Sequence, residues 1–361
     1  MTSQQITIDQ TIPTPAQPRP IVSIGAGGIV HDAHYPAYAL ADYPVVGLYD
    51  PDQSRAAYMA ETFGVARTFD SLAAAVDFAP VDTVFDVAVP AAAIADVLPA
   101  LPVGSAVLVQ KPLGDNPTQT RELLQICRQR DLTAAVNFQL RWAPFVLAAR
   151  SLIEQDAIGQ VVDMEVRVDV LTPWHLWPFL QQMPYAEILY HSIHYIDLVR
   201  SFLGEPRGVW CHTVAHPALA AMRSSKTSLI FDYGPYTRVQ IETNHFHQFG
   251  PARQDAYIKW EGTRGAIKAT MGVLLNYPQG RPDRFQFCLL QGEQEPVWQE
   301  TKLQGSWFPE AFTGSMGSLM RFLNAESRDL PTAVADAACT MAVVEAACQS
   351  SASGASRIRP V

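Results

Sequence analysis

A chain of 361 residues, 48% hydrophobic and 17% charged, is long enough for two domains that each bury a core and too apolar for global disorder. Its net charge of -9, its pI near 5.5 and the lack of any Lys/Arg run argue against nucleic acid and against an anionic membrane as partner. A small molecule is the expected ligand.

Residues 1–19 are Pro-rich and lack a basic segment followed by an apolar one, so they read as a flexible lead-in and not as a signal peptide. No apolar stretch approaches the roughly 20 residues that span a bilayer. Cys127, Cys211, Cys288, Cys339 and Cys348 are odd in number, scattered and without a CxxC, which suits reduced thiols. A cytoplasmic protein is expected.

From Pro20 short apolar runs alternate with helical stretches. "PIVSIG", "VVGLYD", "VDTVFDVAVP" and "SAVLVQ" are predicted strands, and "PDQSRAAYMAETFG" and "NPTQTRELLQICRQRD" predicted helices. That alternation predicts an α/β domain over 20–145, a doubly wound parallel sheet of the Rossmann kind. After about Arg150 the texture changes. "QVVDMEVRVDVLT", "RGVWCHTVAH", "KTSLIFDYG", "TRVQIETNHFHQF", "DAYIKWEG", "GAIKAT" and "RFQFCLL" follow one another with turns between them. They predict an α+β domain over 146–361 built on an open, mostly antiparallel sheet, closed by an Ala-rich helix packing back on the first domain. An open sheet has a face to cover, so a homodimer or homotetramer through it is expected.

"IVSIGAGGIVHDAH" places Gly25, Gly27 and Gly28 where a strand gives way to a helix. Glycines there let the chain turn tightly and let backbone N–H groups approach a pyrophosphate at the positive end of the helix. Val30 stands where the third glycine of such a motif falls. Asp50, at the end of the next strand, would accept ribose hydroxyls and repel a 2'-phosphate, which favours NAD over NADP. Arg55 one turn later keeps NADP open. Lys111 ends the strand "SAVLVQ" and is held extended by Pro112, at the sheet edge where ligands bind in such folds.

"YHSIHYID" places His191 and His194 three residues apart. At about 100° per residue, Ile188, Leu189, Ile193, Ile196, Val199 and Leu203 fill one arc of a helix, and Tyr190, His194, Asp197 and Ser201 the other. Phenol, imidazole and carboxylate together are groups that position or move protons, with His191 at the margin of the apolar arc. His245 and His247 of "HFH" suggest a zinc site with the helix histidines, but no Cys or carboxylate cluster completes the shell, and no metal is expected. In "LTPWHLWPFL", Trp174 and Trp177 either stack on a sugar ring while His175 reaches a hydroxyl, or pack as an aromatic loop on the sheet.

The glycine loop, the acidic strand end, the "QKP" tripeptide and the later His-containing helix together resemble the glucose-fructose oxidoreductase / inositol dehydrogenase / MocA family of nicotinamide-dependent sugar and polyol oxidoreductases. The resemblance covers the chain from about Pro20 to its C-terminus. It implies cofactor contacts at Gly25, Ala26, Gly27, Gly28, Ile29, Val30, Asp50, Val89, Pro90, Gln110, Lys111 and Asn137. It implies catalytic roles for Lys111 and His194, with Tyr190 in the position of the family's Asp. Substrate contacts would come from Arg141, Trp174, His175, Trp177, His191 and Asp197. The sequence departs from the family at Gln110 in place of Glu, at Tyr190 in place of Asp, at Ile94 in place of a frequent His, and at "PYAE" in place of a Gly-rich turn.

The expected function is hydride transfer between NAD, with NADP the lesser candidate, and a secondary alcohol or hemiacetal carbon of a sugar or polyol. His194 would take the hydroxyl proton and Lys111 would stabilise the alkoxide. The alternatives are a dinucleotide-binding sensor that has lost catalysis, or a dehydrogenase of a non-sugar such as a dihydrodiol.

Overall fold

The computed structural model describes residues 6–181, 183–219 and 222–355. By contact the chain divides into two units, one of Thr11–Pro144 with Gly305–Met341, the other of Met1–Gln10, Phe145–Gln304 and Ala342–Val361.

The first unit carries β1 (Ile21–Ile24), α1 (Tyr35–Leu40), β2 (Val45–Tyr49), α2 (Gln53–Phe63), β3 (Thr68–Phe69), α3 (Leu72–Phe78), β4 (Val84–Val87), α4 (Ile94–Val97), β5 (Ala106–Val109), α5 (Pro117–Gln129) and β6 (Thr133–Val136). The six strands are parallel in the order β3-β2-β1-β4-β5-β6, so strand order reverses beside β1 and the carboxyl ends of β1 and β4 flank the switch point. Strands β1, β4 and β5 are buried along their whole length, which explains their unbroken apolar runs. Local chemistry sets the helix ends. Asp52 caps α2 by accepting from the N–H groups of Ser54 and Arg55, and Gly64 ends it with φ +70°.

The second unit begins with α6 (Pro144–Glu154) and β7 (Val161–Asp169), followed by α7 (Ile193–Leu203). Strands β8 (Gly208–Val214), β9 (Lys226–Asp232), β10 (Arg238–Asn244), β11 (Asp255–Gly262), β12 (Gly265–Thr270), β13 (Arg284–Leu289) and β14 (Trp298–Thr301) complete an eight-stranded sheet in the order β14-β13-β12-β11-β7-β10-β9-β8. Neighbours pair antiparallel throughout except β7 with β10. Alternation is clean on β9, where Thr227, Leu229 and Phe231 are buried and Ser228 and Ile230 exposed.

Two helices follow, α8 (Glu310–Leu323) and α9 (Val334–Ser353). The sequence reading passed over α8, whose "TGSMGS" has the composition of a loop. Its glycines serve close approach instead: a Cβ on Gly317 would lie 2.5 Å from the Pro13 carbonyl oxygen and 2.6 Å from the Tyr43 hydroxyl. Phe312, Met316, Leu319 and Met320 of α8 join Ile21, Leu48, Val84, Leu108, Val30 and Tyr38 in the core of the first unit. Burying each such large side chain is worth about 1.5–3 kcal/mol, which binds 305–341 to that unit. The last turns of α9 are tied to β8, where Ser350 and Ser351 accept from the N–H groups of Cys211 and Thr213.

The lead-in is fastened where flexibility was expected. In the second unit the Asp9 N–H donates to Ser151 and Gln10 donates to the Lys302 carbonyl. In the first, Arg19 donates to Asn324 and to the Leu323 carbonyl, and the Ala16 N–H to Glu326. A Pro-rich composition removes local hydrogen bonds but leaves the chain free to make such distant ones. Residues 1–5 of the lead-in lie outside the described residues.

Candidate active site

In the first unit the loop after β1 is shaped at Gly25, which has φ +108° and where a Cβ would stand 2.4 Å from the Ala88 carbonyl oxygen. Only glycine fits. Gly27 and Gly28 differ, because a Cβ on either would meet no atom within 4 Å, so the loop offers bare backbone on that side. Val30 and the partly buried Ile29 turn into the core. The chain then makes a π-turn over Val30–His34 before α1. Asp50 is nearly buried, accepting from the Ala26 N–H and the Asp52 N–H at 2.8 Å each, with Arg55 at 3.8 Å. Each carboxylate oxygen keeps a second lone pair for a hydroxyl. Bare glycine backbone at the switch point and a held carboxylate at the next strand end suit a dinucleotide.

At the ends of β4, β5 and β6 the polar groups converge on one imidazole. His34 and Asp86 have no exposed surface, and His34 Nδ1 lies 2.8 Å from Asp86 Oδ2, which also accepts from the Tyr38 hydroxyl at 2.9 Å. Burial and the Asp86 charge raise the Tyr38 pKa well above its ordinary value, so the phenol stays a donor. On the other side of the ring, Gln110 Nε2 and Asn137 Nδ2 approach His34 Nε2 at 3.2 and 3.1 Å. Gln110 and Asn137, expected at the cofactor, thus turn their amides toward His34. Val89 and Pro90 follow β4, with Val89 alongside Gly25.

Lys111 follows β5, and the Lys111–Pro112 peptide is cis. Its N–H donates to Gln110 Oε1 at 2.8 Å. The residue keeps part of its surface exposed, yet burial around the ammonium lowers its pKa to about 8. Arg141 is nearly buried and is engaged by Asp336 at 2.6 Å and the Pro331 carbonyl at 2.8 Å.

In the second unit the histidine segment departs from a single α-helix. Ile188–Ser192 forms a π-turn that runs into α7, so the even angular spacing assumed for the whole stretch does not hold across Tyr190 and His191. Every residue from 193 to 200 is buried, His194 at 9% and Asp197 at 1% exposed, so the middle of the polar arc is enclosed along with the apolar one. Tyr190 and His191 keep partial exposure.

The turn gathers a second polar cluster. Glu187, without exposed surface, accepts from the Ser192 hydroxyl at 2.8 Å and faces His245 Nε2 at 3.3 Å. His245 Nδ1 lies 2.8 Å from the Thr172 hydroxyl. The His191 and His245 rings lie 4.5 Å apart between centroids and tilted 30° to each other, and Trp174 meets His191 edge-on at 5.0 Å. Among the described residues no group of three or more His, Cys, Asp or Glu could hold a metal.

Trp174 is 4% exposed and donates to the His245 carbonyl, which makes it a packed wall of the loop. Trp177 is half-buried near Tyr277, Phe179 meets Tyr190 edge-on at 5.7 Å, and His175 is exposed. His247 pairs with Asp169 at 3.2 Å. The sequence reading missed His34, Tyr38, Asp86, Glu187 and Thr172. The available signal was a carboxylate inside an apolar run, Asp86 in "VFDVAV" and Glu187 in "AEILY", because a buried acid requires a partner.

Comparison with known proteins follows this division. Residues 20–138 match the model described as an oxidoreductase family with an NAD-binding Rossmann fold, and residues 146–268 match the GFO/IDH/MocA C-terminal domain. Among solved structures, an oxidoreductase from Agrobacterium radiobacter in complex with NAD+, L-tartaric acid and magnesium is 19% identical, with TM-score 0.76 over 93% of this chain and 97% of that one. A levoglucosan dehydrogenase in complex with NADH and levoglucosan is 18% identical, with TM-score 0.76 over 93% and 98%. A UDP-N-acetylglucosamine 3-dehydrogenase from Acidithiobacillus ferrooxidans is 15% identical, with TM-score 0.71 over 92% and 98%. At these identities the likeness is one of fold.

Burial alone would raise the Glu187 pKa, but the hydrogen bond and charge of His245, with bonds from Thr227 and Ser192, hold it below the usual carboxylate range. A depressed folded pKa stabilises the fold above the unfolded glutamate value, and that share is lost as pH falls below about 4. Glu187→Gln is expected to cost about 1–3 kcal/mol at neutral pH, read by thermal unfolding. A gap from the parent protein that fails to narrow in acid would show that the charge contributes nothing.

Proposed function

Because the chain belongs to the GFO/IDH/MocA family of NAD-binding oxidoreductases, we propose that it moves a hydride between a nicotinamide dinucleotide and a secondary alcohol or hemiacetal carbon of a sugar, polyol or related compound. The observation that carries this reading is Lys111, a lysine at the end of β5 whose pKa of about 8 lets it hold or release a proton near neutrality.

The dinucleotide, when bound, supplies the hydride donor or acceptor. Gly27 and Gly28 would admit its pyrophosphate, and Asp50 would accept from the ribose. The Asp50 carboxylate favours NAD over NADP, and Arg55 is shared between Asp50 and Asp52, which supports the same preference. Lys111 stabilises the substrate oxygen as negative charge develops on it. His194 exchanges the hydroxyl proton, and Tyr190 and His191 at the partly exposed turn face the substrate. Trp177, with surface to offer, suits the apolar side of a sugar ring better than the buried Trp174. The levoglucosan bound to one structural neighbour and the UDP-sugar for which another is named support trying carbohydrates first.

The subunits associate through the outer face of the eight-stranded sheet as a homodimer or homotetramer. Trp210 on β8 and Ile230 on β9 are direct cross-strand partners, 61% and 50% exposed, and Tyr236 beside them is 80% exposed.

Four outcomes are expected. Nicotinamide reduction followed against aldoses, anhydrosugars, inositols, sugar acids and dihydrodiols should show turnover with NAD, lowered about 100-fold or more by Lys111→Met and by His194→Ala while NADH still binds. As pH rises through about 8 the ammonium is lost, so turnover should fall there, and Lys111→Arg should abolish that limb. Wild-type turnover in Lys111→Met or in His194→Ala removes that residue from the mechanism. Asp50→Ser should weaken NAD binding about 10–100-fold and narrow the gap to NADP, an unchanged preference ruling out its role. Trp210→Glu with Ile230→Asp should lower the mass seen by light scattering, and an unchanged mass would place the interface elsewhere.

A further inference from the structure

The His34 ring sits where four elements meet: the turn after the glycine loop that carries it, and the ends of β4, β5 and β6 that bring Asp86, Gln110 and Asn137. Apart from these polar groups its surroundings are Tyr38 and the Phe312 ring, centroids 6.0 and 5.3 Å away. The protonation pattern follows from the partners. Asp86 accepts, so Nδ1 carries a proton, and the two amide NH2 groups that face Nε2 require that nitrogen to keep its lone pair. A lone pair there is shared by the NH2 ends of Asn137, at 3.1 Å, and Gln110, at 3.2 Å.

An amide has only two ends. With its nitrogen turned to His34, Gln110 must present its oxygen on the other side, where it accepts the Lys111 N–H at 2.8 Å. The reversed amide would set NH2 against N–H and two lone pairs against each other, losing both bonds. Gln110 is itself nearly buried, its own N–H paired with the Val87 carbonyl, so its side chain has little freedom to find other partners.

We propose that Asp86, His34 and Gln110 form a positioning relay: the carboxylate fixes the imidazole tautomer, the tautomer fixes the amide, and the amide oxygen fixes the backbone from which the Lys111 side chain projects. The inference rests on the reading of Lys111 as the group that acts on the substrate oxygen. Gln110 is a positioning residue in this scheme, and its inward-facing amide does a different task from cofactor contact.

Gln110→Met keeps the length and loses both bonds. Gln110→Glu keeps an oxygen on the Lys111 N–H and can bond His34 once the ring gains a proton on Nε2. In the cofactor-free protein, amide hydrogen exchange measured by mass spectrometry over 108–114 should accelerate about tenfold in Gln110→Met and little in Gln110→Glu. With NAD and the substrate found above, Gln110→Met should lose about tenfold in kcat, with KM and the NADH Kd within about threefold of the parent, and Gln110→Glu should recover most of the loss. Parent-like exchange and kcat in Gln110→Met overturn the relay, as does a Gln110→Glu variant as impaired as Gln110→Met. Lys111→Met, run alongside, separates the two ideas. If it is inactive while Gln110→Met is unaffected, the relay alone falls; if it retains full turnover, the functional reading falls and takes the relay's purpose with it.

Discussion

A carboxylate inside β4 with no exposed surface is the constraint on which the ligand end of the Rossmann unit depends. Left unpartnered, such a charge costs several kcal/mol. Asp86 is answered by His34 and by Tyr38, residues from the turn and helix that follow the glycine loop. The pairing therefore anchors the start of that helix against β4, and the loop between them must turn sharply, which is why Gly25 meets the Ala88 carbonyl with no room for a side chain. One buried charge thus accounts for the glycine, the placement of the helix start and the inward turn of Gln110 and Asn137.

The sheet unit repeats the device with different parts. Glu187 enters the π-turn before α7 and is answered by His245 from the end of β10, which is bonded in turn to Thr172 of the aromatic loop. The consequence is again positional. Trp174 is held between His191 and His245, whereas Trp177 keeps part of its surface and Phe179 is exposed. A π-turn places one more residue per turn than the sequence phasing allowed. That single extra residue brings His191, taken as marginal, into the cluster.

Much of the fold was legible because periodicity is local. Unbroken apolar runs gave β1, β2, β4 and β5, and alternation gave β7 through β13. The two-residue β3 and the four-residue β14 are too short for a pattern to emerge, and "TAAV" of β6 has the composition of a helix. The glycines of α8 read as a turn because nothing local reveals that Tyr43 and the chain near Pro13 lie against them. The site divides in the same way. Gly25, Asp50, Lys111 and His194 stand in recognisable local settings, whereas His34 and Asp86 are 52 residues apart and Glu187 and His245 lie on different elements. Each was visible as a polar residue in apolar company, but only the folded chain says which answers which.

The tyrosine at 190 acquires a physical context from these pairings. Between Glu187 and Leu203 the segment has two acids, Glu187 and Asp197, and both are buried, the first of them occupied by His245 and Ser192. The partly exposed positions of the turn, Tyr190 and His191, carry no negative charge. A carboxylate at 190 would add one there, on a position that keeps part of its surface exposed. A phenol packed edge-on against Phe179 adds none, so this part of the turn offers its surroundings ring faces and a hydroxyl in place of a negative charge.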